Sequence, residues 1–166
     1  MGILEAIEAS AFSTWVRESP SIFAYTFILT LHGIGLELLV GLHSMISLRL
    51  LGGWKRIPVA PLEKFYPLMY IALWINIVSG LALLVPAITE KLAQPIFYIK
   101  LAFIAAGVTV LLRMRRRVFG DAAAMAAGTL SAEARTLARV ALAAWFFAIV
   151  TGRLVEYPDL AASIGL

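Results

Sequence analysis

The chain has 166 residues and a mass of 18.1 kDa, enough for one domain and short for two. Hydrophobic residues make up 61% and charged residues 14%, and the mean hydropathy is +0.91. A soluble domain is roughly half apolar and a quarter charged, so a soluble globule, a nucleic-acid binder and a disordered tail are excluded in favour of an integral membrane protein. There is no Cys, which excludes disulfides, thiolate metal sites, Cys-ligated clusters and covalent c-type haem.

In residues 1–19, Ile3, Leu4, Ile7, Ala11, Phe12, Trp15 and Val16 recur at helical spacing, with Glu5, Glu8, Ser13 and Arg17 between them. This predicts an amphipathic helix lying on the membrane surface. It starts acidic and lacks the continuous apolar core of a cleaved signal peptide. Residues 20–157 hold four apolar stretches, near 21–51, 66–88, 95–112 and 137–157. A bilayer needs about 20 residues per helix, so each stretch is a span and the first is overlong. Ser19-Pro20 and Gln94-Pro95 are predicted helix starts, and Gly52-Gly53 a stop. The Ala-rich stretch 118–134 reads as a loop with some helix, followed by a capping Ser131 with Glu133 behind it. Residues 158–166 form a short tail. The predicted fold is all-α: an integral membrane four-helix bundle with an N-terminal interfacial helix.

Charge predicts the orientation. Arg49, Lys55, Arg56 and Lys64 surround the first loop, and Arg113, Arg115, Arg116, Arg117, Arg135 and Arg139 the third. These are ten of the fourteen basic residues, while Glu5, Glu8, Glu18, Glu90, Glu156 and Asp159 lie at the other end. The positive-inside rule then places both loops in the cytoplasm and both termini outside, periplasmic for a bacterial inner membrane. The Arg113 to Arg117 cluster reads as a topology anchor on anionic lipid.

Ionisable groups inside a span ask for an explanation. The first span holds His32, Glu37 and His43, and these two histidines are the only ones in the chain. They lie about 20° apart around one helix and about 16 Å apart along it, so they cannot ligate one iron together. Each is a candidate axial ligand of a separate b-type haem, with the second ligand from another subunit or from Met45 or Met69. Four-helix bundles build such sites from inward side chains. His32 is favoured, because Gly33 and Gly35 leave room for a flat ligand. Glu37 points away from the histidine face. If the first helix starts at Pro20 and the third at Pro95, His32 lies about 10 Å deeper than Lys100. That is close to the reach from a haem iron to its propionates, so Lys100 and Arg153 are candidate propionate partners; snorkelling to headgroups is their plainer reading. Arg153 is also placed to pair with Glu156.

Small or polar stripes at Ala72, Asn76 and Gly80, at Ala102, Ala105, Ala106 and Thr109, and at Ala144, Ala148 and Gly152 predict close helix contacts. Asn76 is read as an interhelical hydrogen bonder, with a quinone site as the sharper alternative. Trp15, Trp54, Tyr66 and Tyr157 fit interfacial belts. Trp74, Trp145, Phe146 and Phe147 lie deeper, for packing, lipid or a pocket. No phosphate loop, zinc-protease motif or nucleophile elbow is present.

Leu31-His32-Gly33-Ile34-Gly35-Leu36, Val40-Gly41, Leu48-Arg49-Leu50-Leu51-Gly52 and Thr151-Gly152-Arg153 resemble a family of small bacterial inner-membrane proteins of unknown function. Ser47 stands where that family's first span has Asp. His32 matches its His-x-x-Gly-like start, and His43 has no clear counterpart. The resemblance implies no activity; a looser, fold-level similarity links the chain to membrane b-type cytochromes. The expected function is a cytochrome b-like electron-transfer subunit, passing electrons between quinol and a periplasmic partner. The alternative is a non-catalytic anchor or assembly subunit. The expected partners are the lipid bilayer and either other membrane subunits or further copies of the chain, with the histidine face near the contact.

Overall fold

A computed structural model describes residues 2–121 and 130–163 of the chain. The N-terminal segment is two short helices, α1 (Ile3–Glu8) and α2 (Ala11–Glu18), where the sequence predicts one. Ser10 divides them: its Oγ accepts from the Ser13 N–H at 3.3 Å and caps a fresh helix. Ser19 ends α2 instead of capping the first span. The hydroxyls of Ser19 and Ser21 accept from the N–H groups of Ser21 and Phe23, which offers this backbone an alternative to helical bonds. The first span, α3 (Tyr25–Leu50), therefore starts five residues after Pro20.

The predicted stop after α3 is present. Gly53 N–H donates to Leu48 O and Gly52 N–H to Arg49 O, with Gly52 at φ +105°, a left-handed cap that favours glycine. A 3-10 turn, Ala60–Phe65, leads into α4 (Tyr66–Leu84). Another, Val85–Ala87, leads into α5 (Ile88–Ala93). Pro95 opens α6 (Pro95–Met114), which runs into a π turn at Arg115–Phe119. Ser131 caps α7 (Ala132–Leu154) as predicted, its Oγ accepting from Ala134 N–H at 3.0 Å. The short α8 (Pro158–Ser163) follows. Of the loop predicted over 118–134, residues 122–129 lie outside the described residues, as do 164–166 of the tail.

Among the described residues four helical runs are long and apolar enough to cross a membrane: α3, Ala60–Ala93, Pro95–Phe119 and α7. The chain is an all-α bundle and a multi-pass membrane protein. Packing follows the order α4, α3, α7, α6, each helix lying along the next, and α4 is not packed along α6.

The core is lopsided. Large side chains are buried together at the Arg-rich end: Ile46, Tyr66, Met69, Leu111, Met114 and Trp145. At the other end, which carries α1, α2 and α8, the buried cluster among the described residues is Ile96, Phe97 and Val155. The helices α1 and α2 dock there on the turn between α4 and α6. Val16 and Ser13 are buried, and Glu8 Oε2 accepts from Thr89 N–H at 3.2 Å, while Phe12 and Trp15 stay exposed.

Two predicted stripes make the contacts assigned to them. A Cβ at Gly35 of α3 would come within 2.9 Å of Ala72 O, so α3 and α4 touch backbone to backbone. Ala144 and Ala148 of α7 are buried inside the bundle. The stripe on α6 is corrected: Ala102, Ala105 and Thr109 are exposed, and the inward face is Gly107, Val110, Leu111 and Met114. Gly107 is the true close approach, because the Trp145 indole fills the space where its Cβ would be. Tyr66 is also corrected, from interfacial belt to fully buried core.

Candidate functional site

The two histidines share one face of α3, as their spacing requires, but they meet different helices. His32 faces α4. Its Nδ1 lies 3.2 Å from Asn76 O and 3.1 Å from Ser79 Oγ. The Ser79 hydroxyl donates its one proton to Ile75 O at 2.6 Å, so towards His32 it accepts. Both neighbours of Nδ1 are then acceptors. In the neutral ring Nδ1 carries the proton and Nε2 carries the lone pair. Asn76 Nδ2 donates back to His32 O at 2.9 Å, which is the interhelical bond expected of Asn76. Gly80 lets the ring lie against α4: a Cβ there would be 3.0 Å from His32 Cε1.

His43 faces α7 and is fully buried. Trp145 Nε1–H donates to His43 Nδ1 at 2.7 Å, and the two rings meet edge to face at 6.2 Å. Indole is a donor only, so Nδ1 is the acceptor and the proton of the neutral ring is on Nε2. That Nε2 has no hydrogen-bond partner among the described residues, and neither has the buried Tyr66 hydroxyl. His43 therefore has the opposite tautomer from His32, with its lone pair already engaged. Both histidines hydrogen-bond to helices of the chain's own bundle.

Lys100 lies against α7, its stem 3.4 Å from where a Cβ of Gly152 would be. The later start of α3 changes the depth arithmetic. Counted from the first residue of each helix, His32 is seven residues into α3 and Lys100 five into α6, a difference of about 3 Å of helix instead of about 10 Å. Arg153 is not brought to this cluster. It is exposed, its guanidinium stacks 5.2 Å from the Tyr157 ring and it donates to Tyr157 Oη at 3.1 Å. Glu156, predicted to pair with Arg153, pairs with Lys91 at 3.4 Å, and Lys91 also donates to Val155 O at 3.0 Å. Met69 belongs to the core at the Arg-rich end and Met45 packs against that core, about 10 Å or more from the level of His32.

The site legible in the structure is thus His32 held by Asn76 and Ser79, in the half of the bundle that also holds Lys100. Sequence reasoning found His32, Asn76 and Lys100. It missed Ser79, whose signal was its place three residues after Asn76 on the same helix face, and it missed the Trp145–His43 bond. Among the described residues no three His, Cys, Asp or Glu side chains gather as a metal-binding group. No protein family, curated protein or solved structure is found to match the chain.

Proposed function

We propose that the protein is a cytochrome b-like electron-transfer subunit that takes one b-type haem on His32. The observation that carries this reading is the proton accounting at that ring. A carbonyl and a committed hydroxyl hold Nδ1–H, which orients the imidazole and leaves Nε2 as the free lone pair, the arrangement ligating histidines adopt. The half-buried position of His32 supports its access to a ligand from outside the core. Lys100 is the cation available to a propionate. His43 is left out of the ligand set, because Trp145 occupies its lone pair. Arg153 keeps the weaker role of a surface partner near the same end.

In this reading the second axial position is filled from outside the chain, by another subunit or an exchangeable ligand. The membrane is the bacterial inner membrane, with the Arg-rich loops cytoplasmic and the other end periplasmic, in keeping with the charge distribution and with the resemblance to small inner-membrane proteins. A quinol is the natural electron donor from within the bilayer.

The test is a reduced-minus-oxidised visible spectrum of protein purified in mild detergent from its native membrane. A b-type band is expected that His32→Ala abolishes and His43→Gln keeps. A colourless protein, isolated together with its native partners, overturns the reading in favour of an anchor or assembly subunit. A reporter fused at the C-terminus is expected to be active only on the periplasmic side.

A further inference from the structure

Glu37 stands at the middle of α3, twelve residues after Tyr25 and thirteen before Leu50, about 18 Å from either end of the helix. It is exposed and has no ion-pair or hydrogen-bond partner among the described residues. In a multi-pass protein that position is the centre of the hydrocarbon. Ionisable side chains there are costly and turn to a bundle interior or a cavity, yet this one points away from its own bundle.

Its surroundings separate it from a lipid-facing surface. Thr26, Thr30, Gly33, Glu37, Gly41 and Ser44 fall within about 80° of one another on α3, roughly opposite the buried Leu39, Ile46 and Leu50. All six are exposed or half-buried. On α4 the outward residues are Ile71, Trp74, Val78 and Leu81, all large and apolar, as contact with acyl chains requires. On α3 the outward strip centred on Glu37 holds these six polar or small residues together with the exposed Leu48, and the exposed Ile34 and Leu38 border it. Cβ atoms at Gly33 and Gly41 would meet nothing within 4 Å, so both sites are open to the close approach of another backbone.

We propose that this face is the interface with a second copy of the chain, paired about a twofold axis along the membrane normal, with the two Glu37 carboxyl groups hydrogen-bonded to each other across it. A twofold along the membrane normal opposes Glu37 to its mate, and Gly33 and Gly41, four residues to each side, leave room for the two backbones to approach there. Copies inserted with the same orientation bring equal depths together. The chain's own intramembrane cations, Lys100 and Arg153, lie towards one end and do not reach that depth. Two carboxyl groups in contact share hydrogen bonds when at least one is protonated, since both cannot ionise side by side. The inference is independent of haem: His32 stays turned to α4 in such a dimer.

The absence of Cys makes single-cysteine cross-linking clean. In native membranes, Thr26→Cys at the end of this face is expected to form a disulfide-linked dimer on oxidation. Leu81→Cys, near the same end on the apolar face of α4, is not. Native mass spectrometry in mild detergent is expected to give a dimer that Glu37→Gln retains and whose dissociation constant Glu37→Ala raises about tenfold, the size of one interhelical polar contact. The melting of the bundle serves as the folding control, because Glu37 lies outside the core. Equal cross-linking at positions 26 and 81 overturns the proposal as random collision. Loss of the dimer in Glu37→Gln also overturns it, pointing to an ion pair with a basic group of another protein.

Discussion

At the Arg-rich end His43 lies among large apolar side chains, sealed from outside, with Trp145 closing its lone pair. Eleven residues earlier on the same face, His32 is half-buried among Asn76, Ser79 and Gly80, with its lone pair open. The residue type, the helix and the face are the same, and the chemistry differs because of the partners. A donor-only indole forces one tautomer, and two acceptors force the other. One half of the bundle uses its histidine to join α3 to α7 through the ring's lone pair, while the other joins α3 to α4 through Nδ1 and leaves the lone pair open.

The sharpest way to break that contrast is to empty the packed half. Trp145→Ala removes an indole that is 2% exposed and also deletes the donor to His43. The expected loss is about 3–5 kcal/mol, seen as a large drop in resistance to unfolding in mixed micelles. Trp145→Phe keeps most of the volume and leaves His43 Nδ1 unpaired, so about 1–3 kcal/mol is expected. Equal resistance in Trp145→Phe and the parent protein would mean that the indole serves as volume alone.

Glycines test the same contrast at intermediate size. In Gly35→Ala the new methyl would sit 2.9 Å from Ala72 O and 3.1 Å from Asn76 N, and backbone cannot step aside without parting α3 from α4. An overpacking cost of about 1–3 kcal/mol is expected. In Gly80→Ala the methyl meets His32 Cε1 at 3.0 Å, a side chain that can move. Stability is expected to change by under about 1.5 kcal/mol while the ring leaves Asn76 and Ser79. Histidine NMR should detect a change of tautomer at His32 in Gly80→Ala and none at His43.

The all-α class, the four spans and the packed Ala144–Ala148 face were legible because apolar length and small-residue spacing act locally along one helix. The cap at Gly52 was legible because only glycine settles comfortably at that φ. The start of α3 was not. Ser-Pro suits a helix start, but two serine hydroxyls competing for the same N–H groups delayed the helix to Tyr25, and the depth of His32 moved with it. The small stripe on α6 failed for a different reason. Spacing finds which residues share a face but not which face turns inward, and the Trp145 indole selected Gly107. At the site, His32 and Asn76 stood out as polar groups in a span. The His43 partner lay 102 residues away, and no local pattern points to it.

The smallest effect expected is at the edge of the less filled half, where α1 docks on the turn between α4 and α6. Hydrogen bonds from Thr89 and, to a lesser degree, the charge of Arg17 hold the Glu8 carboxyl below its usual value of 4.5. The docked carboxylate is thus favoured over the undocked one. Its contribution is fully present above the undocked value and is lost as pH falls through the lower docked value. The group is exposed, so the effect is confined to local opening. The Thr89 amide is expected to lose hydrogen-exchange protection, relative to amides in the α3–α4 contact, as pH is taken below about 4.5. Glu8→Gln should give a flat profile across that range while keeping an acceptor for Thr89. A Thr89 amide whose relative protection follows the same pH course in both proteins would show that α1 is held by the burial of Val16 and Ser13 in the adjoining α2 and not by this carboxylate.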